Sequence, residues 1–353
     1  MSTSARPPTR MFVLTVPGLA SLAARELAAV DGTAVRDTGS DGRADVLLAD
    51  VDRPGRGGDL LGLRLAEDVF AEVGRTLRSD GDRARWIAER IWRPERSARA
   101  LTVWSGARGP LRAALSFRVI ARVHQEKSFL RTDLRRELTG VISKDRPRWR
   151  LADPADLEVW IQEYQPGRFV CGLRLSDERM RQHGGRRQER PGALRPAVAA
   201  AAVFLAGPPD GLLLDPCCGS GTILAEAAAA GWQARGLDID PGAVESARAN
   251  ASAPSVTAVS VGDVRSIDLP SEVAAACVSN LPFGQQFTVP GEMTSWLSQA
   301  VSEITRVVRP GGRVVLLAPD LPAAAVPARL TRTDRVKLRL LGTPASLWAF
   351  DRR

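Results

Sequence analysis

The residues best suited to chemistry lie in a short turn at residues 212–222, which read LLLDPCCGSGT. Asp215 and Pro216 follow an apolar stretch that predicts a strand, and a helix is expected to begin just after the two glycines. Gly219 and Gly221 let the backbone approach a ligand, and the helix N-terminus offers free N–H groups. The turn has neither the third glycine of a dinucleotide fingerprint nor the Gly-Lys-Ser/Thr of a nucleotide-phosphate loop. Its carboxylate favours a zwitterionic ligand with an ammonium group, and a purely structural turn is the alternative.

Two more acidic residues follow the next two predicted strands. Asp238 lies 19 residues after Gly219, near the end of a strand predicted over residues 234–239. A carboxylate at that place can accept both hydroxyls of a ribose. Asp263 follows Gly262 after the third predicted strand, where its side chain could accept from an adenine amino group. Three acids at the ends of three successive strands are difficult to explain by structure alone, so the pattern favours a ligand that contains a nucleoside.

A fourth segment, residues 280–284 with the sequence NLPFG, ends the fourth predicted strand. The side-chain carbonyl of Asn280 and the backbone carbonyl of Leu281 could both accept from one exocyclic amine. Phe283 could stack on the base that carries this amine. The segment therefore predicts a site for an amino group on a nucleic-acid base, and a buried turn is the alternative.

The elements that must position these four segments begin at residue 191. From there, predicted strands and helices alternate regularly, which favours a parallel, doubly wound α/β sheet. Two strands at residues 335–341 and 346–350, joined by a short turn, predict an antiparallel hairpin at the sheet edge. Ligands bind beyond the carboxyl ends of the strands in such sheets, so the four segments are expected to converge.

The first half of the chain predicts a mixed arrangement of helices and strands. Strands at residues 11–16 and 45–49 with a helix at 19–30 predict a small α+β unit. A helix is then expected at residues 76–92, a break at 94–99 and a strand at 101–104. The remaining elements are predicted as strands over 116–123, 157–162 and 168–175, and a helix over 131–142.

The charge of the chain is unevenly distributed. Lysine and arginine number 49 against 40 acidic residues, which gives a net charge of +9. Residues 191–353 hold 14 basic and 14 acidic residues, whereas residues 108–190 hold 19 basic and 11 acidic residues. A GC-rich genome would explain the preference for arginine over lysine, but it does not explain the asymmetry. A concentrated basic segment beside a neutral domain predicts a module that binds a polyanion such as RNA.

Several arginines in this basic segment are candidates for contacts with RNA phosphates. Two share one face of the strand predicted over 116–123, and three cluster on the helix predicted over 131–142. Others lie in an arginine-rich stretch at residues 178–190, which predicts an exposed linker, with a merely solvated hinge as the alternative. The candidate RNA-binding residues are Arg118, Arg122, Arg131, Arg135, Arg136, Arg186 and Arg187.

Length and composition exclude several classes of protein. A chain of 353 residues with 44% hydrophobic and 25% charged residues is typical of a soluble globular protein of two or three domains. No apolar stretch approaches the roughly 18 residues that a membrane span needs, and the N-terminus has no secretory signal pattern. The four cysteines show no C-x-x-C spacing, so we expect no disulfide framework and a reducing, cytoplasmic location.

Residues 190–350 resemble a class I S-adenosylmethionine-dependent methyltransferase, because DPCCGSGT, GLDID, GD and NLPFG stand in the order of that family. Within it, the chain resembles the THUMP-domain RNA methyltransferases that form N2-methylguanosine. LRP at 194–196 before an alanine-rich helix is similar to their lead-in, and TVPGL at 15–19 with REL at 25–27 is similar to their N-terminal domain. The resemblance implies a Rossmann-like methyltransferase fold in an α/β chain. It divides the chain into an N-terminal ferredoxin-like domain (10–74), a THUMP RNA-binding domain (75–175), a basic linker (176–190) and the methyltransferase domain (191–353).

The same resemblance implies a role for each motif. The methionine end of S-adenosylmethionine would lie against Asp215 and the glycine turn, its ribose against Asp238, and its adenine against Asp263 and the backbone N–H of Val264. The implied cofactor-binding residues are Asp215, Pro216, Cys217, Gly219, Ser220, Gly221, Thr222, Asp238, Ile239, Asp263 and Val264. The implied catalytic residues are Asn280, Leu281, Pro282 and Phe283. They would aim the target nitrogen at the methyl group without a metal and without a general base at Asn280.

The implied substrate is the exocyclic N2 of a guanosine in tRNA, bound by a monomeric enzyme. Leu281 stands where amino-methyltransferases often have proline, and leucine at this place favours guanine over adenine. A 23S rRNA guanine-N2 methyltransferase, an adenine-N6 methyltransferase and an inactive RNA-binding protein are the alternatives. Cys217 and Cys218 could supply a nucleophile for pyrimidine C5 methylation, but the NLPF segment suits an amine, and small size for close packing is the simpler interpretation.

Overall fold

The computed structural model describes residues 8–52, 54–78, 83–124, 128–183, 188, 190, 192–282, 292–340 and 342–353. The chain folds into two compact units, an N-terminal unit (Met1–Arg181) and a C-terminal unit (Gln182–Arg353). Each unit contains its own mixed sheet. In the part of the chain that the structure describes, no helix is long and apolar enough to cross a membrane.

The N-terminal unit is built on an eight-stranded sheet with the order β2-β3-β1-β4-β8-β7-β5-β6. Its strands are β1 Thr9–Thr15, β2 Thr33–Ser40, β3 Asp45–Val51, β4 Ala66–Leu77, β5 Ser116–Arg122, β6 Arg150–Leu151, β7 Leu157–Gln165 and β8 Arg168–Arg174. The helices are α1 Ala20–Ala29, α2 Ala84–Ile91, α3 Pro94–Arg108, α4 Arg131–Asp145 and α5 Glu178–Gln182. β4 runs through residues 74 and 75, where the resemblance places a domain boundary, and that division stays a prediction.

Two sequence predictions for this unit are wrong for identifiable reasons. The expected break at 94–99 and strand at 101–104 are instead one helix, α3. Pro94 occupies its first turn, where a proline costs no hydrogen bond and its fixed φ suits a helix start. The helix buries Leu101 and Trp104, which lie three residues apart on one side. The helix expected at 76–92 covers only Ala84–Ile91, because β4 extends through Leu77.

The C-terminal unit is built on a seven-stranded sheet with the order β11-β10-β9-β12-β13-β15-β14. Its strands are β9 Leu212–Asp215, β10 Gln233–Asp238, β11 Val256–Val261, β12 Ala274–Asn280, β13 Val308–Ala318, β14 Leu330–Leu340 and β15 Thr343–Arg352. Its helices are α6 Pro196–Leu205, α7 Thr222–Ala229, α8 Pro241–Asn250 and α9 Met293–Val307. The first five strands pair in parallel, and β15 pairs antiparallel with both β13 and β14. The predicted parallel sheet with a terminal antiparallel hairpin is confirmed.

The core of this unit forms where one face of the sheet packs on α9. Trp296, Val301 and Ile304 on the helix join Leu316 and Trp348 on the strands in one buried cluster. The apolar residues of α9 recur at helical spacing, so the helix presents one continuous apolar side to the sheet.

The strand order reverses at β9, which has β10 on one side and β12 on the other. Chains that leave neighbouring strands in opposite directions open a crevice at the carboxyl ends of those strands. Asp215 ends β9 and Asn280 ends β12, so two of the predicted site residues border this crevice.

Candidate functional site

A cavity of about 690 Å³ opens at the carboxyl ends of the parallel strands of the C-terminal unit. Most of the residues that the sequence assigned to cofactor binding line it, so the convergence of the motifs is as predicted. They are Asp215, Pro216, Cys217, Gly219, Ser220, Thr222, Asp238, Ile239, Asp263 and Val264. Asn280 and Pro282 of the expected catalytic segment line the same cavity.

Asp215 is almost wholly buried at the floor of this cavity. One oxygen, Oδ1, accepts hydrogen bonds from Ser279 Oγ at 2.8 Å and from the Cys217 backbone N–H at 3.3 Å. The other oxygen, Oδ2, is buried and has no hydrogen-bond partner among the described residues. Burial raises the pKa of Asp215 to about 7, because a charged carboxylate is poorly solvated there. The unpartnered oxygen suits a ligand that brings a positive charge.

Asp238 holds the loops of the cavity together. Its Oδ2 accepts from the Gly219 N–H at 2.8 Å, and its Oδ1 accepts from the Asp240 N–H at 3.0 Å. Its backbone carbonyl accepts from the Gly262 N–H at 3.0 Å. Because each carboxylate oxygen has further lone pairs, Asp238 can still accept hydrogen bonds from the hydroxyls of a sugar.

Gly221 has a structural role rather than a place in the cavity wall. Its φ of +82° is a left-handed conformation at the N-cap of α7. A Cβ at this position would lie 3.0 Å from the Ala247 Cα on α8. Gly221 therefore allows the turn to pass close to α8 and aims the N-terminus of α7 toward the cavity.

Asp263 is paired with an arginine that sequence reasoning had not considered. The guanidinium of Arg265 donates to both carboxylate oxygens of Asp263, at distances of 2.6–3.1 Å. This pairing holds the pKa of Asp263 below its usual value. Both residues line the cavity, so an amino group approaching Asp263 would share the carboxylate with Arg265.

Asn280 provides a further unpartnered acceptor of the cavity. Its Oδ1 is buried and has no hydrogen-bond partner within the described ranges. The next residue, Leu281, is buried, and its N–H donates to the Leu317 carbonyl at 3.2 Å. Phe283, to which the sequence assigned base stacking, lies outside the described residues.

The cysteines of the glycine turn are poorly suited to nucleophilic catalysis. Burial raises the pKa of both the Cys217 and the Cys218 thiol, and the nearby Asp215 carboxylate raises both further. The thiolate, which is the reactive form, is therefore strongly disfavoured. Burial of Cys218 against Gly236 agrees with a packing role.

Besides Arg265, sequence reasoning did not assign Ser279, Trp296 and Arg190 to this site. Ser279 donates to Asp215, and a hydroxyl at the end of an otherwise apolar strand was the available signal. Trp296 of α9 lines the cavity, but on the sequence it is one apolar residue of an amphipathic helix. Arg190 also lines the cavity and pairs with Asp240, although the sequence assigns it to an exposed linker.

The expected RNA-binding arginines differ in their surroundings. Arg118 forms ion pairs with Glu158 and Asp153, and Arg122 pairs with Asp41 and lies 4.5 Å from the ring centroid of Trp160. On α4, Arg131, Arg135 and Arg136 are exposed, and Arg136 pairs with Asp133 at 3.0 Å. Arg186 and Arg187 lie outside the described residues. The α4 arginines are thus the most accessible of the described members of the set, and their contact with RNA stays a prediction.

The comparisons with known proteins agree with the geometry of the C-terminal unit. Residues 183–342 match the family model of the RMKL-like methyltransferase domain, UPF0020. This part of the chain matches a methyltransferase domain, and the predicted resemblance to that class is confirmed. The matched region begins at residue 183, so the THUMP assignment of residues 75–175 stays a prediction.

Two curated relatives share part of the sequence. The chain is 32% identical over 161 residues to a tRNA (guanine(10)-N2)-dimethyltransferase of Methanothermobacter thermautotrophicus, covering 42% of this chain and 46% of that protein. It is 35% identical over 127 residues to the mouse U6 snRNA (guanine-N(2))-methyltransferase THUMPD2, covering 34% of this chain and 22% of that protein. The chain therefore spans less than half the length of each of these relatives.

A solved structure extends the similarity of fold to nearly the whole chain. TrmN from Thermus thermophilus has a TM-score of 0.75 and 24% sequence identity, and the match covers 98% of this chain and all of that one. The Rossmann-like methyltransferase fold expected from the sequence is confirmed.

Proposed function

We propose that this chain, whose residues 183–342 match an RMKL-like methyltransferase domain, transfers a methyl group from S-adenosylmethionine to the exocyclic N2 of a guanosine in tRNA. The observation that carries this proposal is a pair of unsatisfied acceptors in one cavity, Asp215 Oδ2 and Asn280 Oδ1. A buried acceptor without a donor costs about 1–3 kcal/mol. Two such groups at neighbouring strand ends favour a ligand pair that brings a cation to one and an amine to the other.

The cavity suits S-adenosylmethionine in size and in chemistry. A volume of about 690 Å³ lies within the roughly 300–1,000 Å³ usual for small-molecule sites. Asp215 would accept from the ammonium of the methionine part, and Asp238 from the ribose hydroxyls. Ile239 is 67% exposed at the cavity and offers an apolar surface for the adenine ring. When bound, the donor supplies a methyl group on a positively charged sulfur.

The reactivity of the amine that receives the methyl group depends on its orientation and not on removal of its proton. Asn280 Oδ1 and the Leu281 carbonyl would each accept one N–H of the target amine, which aims the nitrogen lone pair at the methyl group. Asn280 carries no charge and cannot act as a general base, so the proton leaves to water after the N–C bond has formed. Guanine N2 is a poor nucleophile, and alignment of reacting groups can contribute about 7–11 kcal/mol.

The proposed substrate is supported by the relatives and by charge. Both curated relatives are named as guanine-N2 methyltransferases acting on an RNA. The net positive charge of residues 108–190 agrees with a polyanionic substrate. The target base would have to leave its stack to reach this cavity, and we assign stacking on that base to Phe283.

The proposal is tested by methyl transfer from labelled S-adenosylmethionine to tRNA and rRNA isolated from a strain that lacks the gene. We expect labelled N2-methylguanosine in tRNA by nucleoside mass spectrometry. Asn280→Ala should bind the donor normally but transfer methyl groups at least about 100-fold more slowly, in the range seen when one positioned catalytic hydrogen bond is removed.

Three results would count against this proposal. Label in adenosine would overturn the assignment of the guanine amine, and label confined to rRNA would overturn the assignment of tRNA. Failure of the unaltered protein to methylate any RNA would overturn the activity itself.

A further inference from the structure

The cations of β14 form an exposed basic strip at the edge of the C-terminal sheet. The strand holds four basic residues against one acidic residue, a net charge of +3, although residues 191–353 as a whole are neutral. The strip consists of Arg332, Arg335, Lys337 and Arg339, and all four residues are exposed. The even charge balance of this half of the sequence had hidden the cluster.

The strip differs from other arginines of the C-terminal unit in its partners. Four of those arginines form ion pairs with nearby carboxylates, namely Arg265, Arg306, Arg309 and Arg313. Within the described residues, no carboxylate lies within 4 Å of the charged groups of the strip. Like charges held together without counter-charges repel one another, and a bound polyanion would relieve that repulsion.

The strip runs toward the end of the sheet at which the cavity opens, where the parallel strands have their carboxyl ends. β14 is antiparallel to β15, which is antiparallel to β13, so β14 runs in the same direction as β12. Lys337 pairs with Ser346 on β15, and Ser346 pairs in turn with Ala318 on β13. Ala318 directly follows Leu317, the residue that pairs with Asn280 of β12. Because β13 and β15 lie between β12 and β14, the strand that carries Lys337 is three strand spacings, about 14 Å, from the strand that carries Asn280.

All four cations share the face of the sheet on which α9 packs. Alternate residues of a strand point to the same side, which places Arg335, Lys337 and Arg339 together. The register shift between Arg332 and Asp334 brings Arg332, which pairs with Phe350, to this side as well. The guanidinium of Arg335 lies 3.9 Å from the ring centroid of Trp348. Trp348 belongs to the same core cluster as Trp296, which lines the cavity. The cations therefore lie on the face of the sheet that borders the cavity, close to the lateral edge of the sheet.

We propose that Arg335, Lys337 and Arg339 bind the phosphate backbone of the RNA beside the target guanosine, so that the catalytic unit supplies an RNA contact of its own. This inference rests on the proposed function. Charge complementarity favours RNA as the occupant, and so does the position of the strip beside the end of the sheet at which the cavity opens. Basic residues on an edge strand can also prevent strands of different molecules from pairing, which would require no RNA.

The test compares two double variants with equal changes of charge. Lys337→Gln/Arg339→Gln removes two cations of the strip and leaves Arg335 in place on Trp348. Arg309→Gln/Arg313→Gln removes two cations near the start of β13, at the end of the sheet opposite the cavity. Binding of a fluorescent, unmodified tRNA transcript is measured by anisotropy over a range of salt concentrations, with S-adenosylmethionine binding measured in parallel.

The strip variant should bind the transcript more weakly, and the slope of log affinity against log salt should fall by about 0.7–0.9 for each lost contact. The control should keep the affinity and slope of the unaltered protein, and donor binding should be unchanged in both. Equal affinities and slopes for the two variants would overturn the inference, as would aggregation of the strip variant with unchanged affinity of its monomer. If the unaltered protein binds the transcript but methylates no RNA, the proposed function fails instead.

Discussion

Two of the unsatisfied oxygens that line the cavity, Asp215 Oδ2 and Asn280 Oδ1, differ in charge, and this difference assigns their roles. Asp215 Oδ2 belongs to a group that can carry a full negative charge, whereas Asn280 Oδ1 belongs to a neutral amide. A positively charged donor group is favoured by the first, and a neutral amine by the second. Exchange of the two residues would place a carboxylate beside the reacting nitrogen and leave the donor without a counter-charge.

The raised pKa of Asp215 predicts that donor affinity depends on pH. With a pKa of about 7 in the free protein, the carboxylate becomes protonated as the pH falls below 7. Because only the charged form attracts the ammonium, the affinity for S-adenosylmethionine should fall by about fivefold between pH 7 and pH 6. Titration calorimetry at several pH values measures this change, and Asp215→Asn should bind more weakly but with little pH dependence over this interval. An equally steep dependence in Asp215→Asn would contradict the role of Asp215.

The same shift predicts an effect on folding stability of opposite sign. The pKa of Asp215 is higher in the folded chain than its ordinary value of 3.8, so the folded state disfavours the charged form. The penalty is absent below the ordinary pKa and grows as the pH rises toward 7. Asp215→Asn should therefore raise the melting temperature at pH 8 while it weakens donor binding. A lower melting temperature would show that the charged Asp215 stabilises the fold.

At the scale of elements, Gly221 predicts a measurable packing constraint between α7 and α8. Gly221→Ala should lower the free energy of unfolding by more than the roughly 1–2 kcal/mol that a left-handed alanine costs, because its Cβ would also meet Ala247. Gly207 is a matched control, since its φ is +87° and an added Cβ there would have no atom within 4 Å. Denaturant unfolding of both variants gives the comparison. Equal losses would mean that α7 and α8 adjust freely at this contact.

The elements of the C-terminal unit could be predicted because their local signals agree. Strands such as β12, with the sequence AAACVSN, are short apolar runs that end in polar residues, and helices such as α9 show clear periodicity. The motifs then fixed which strand ends approach the cavity. The hydrogen bond between Ser279 and Asp215 could not be predicted, since it joins residues 64 positions apart through the pairing of β12 with β9.

The elements of the N-terminal unit were harder to predict because their signals conflict. β2 has the sequence TAVRDTGS and alternates between partly buried and exposed residues at the edge of its sheet, with no apolar run to reveal it. α3 begins with a proline, which the sequence pattern suggested as a break although it can also start a helix. In both cases tertiary packing decides the structure, and a local pattern carries too little information.

At the scale of the whole molecule, charge is divided between the two units. The N-terminal unit exposes the arginines of α4, and the C-terminal unit concentrates its accessible cations on β14. The net positive charge of residues 108–190 indicated the α4 cluster. Residues 191–353 have no net charge, because acidic residues elsewhere, several of them in ion pairs, balance the cations of β14 in the count. Charge counts predict a binding partner only where the charges also lie on one surface.

Neutralisation of α4 should separate RNA binding from donor binding. The triple variant Arg131→Gln/Arg135→Gln/Arg136→Gln should weaken binding of the tRNA transcript and flatten its salt dependence, because cation–phosphate contacts release counterions. The affinity for S-adenosylmethionine should stay unchanged. Three exposed arginines from the charge-balanced part of the same unit, Arg10, Arg36 and Arg43, provide a control with the same loss of charge. If donor affinity falls together with RNA affinity, the two roles are not separate.

The central claim is that one crevice at the carboxyl ends of β9 and β12 holds the methyl donor against Asp215 and faces its methyl group toward Asn280. A crystal structure with S-adenosylmethionine bound tests this most directly. We expect the donor ammonium about 2.7–2.9 Å from Asp215 Oδ2 and the methyl carbon turned toward Asn280 Oδ1. An empty crevice at saturating donor, or a donor whose methyl group points away from Asn280, would contradict it.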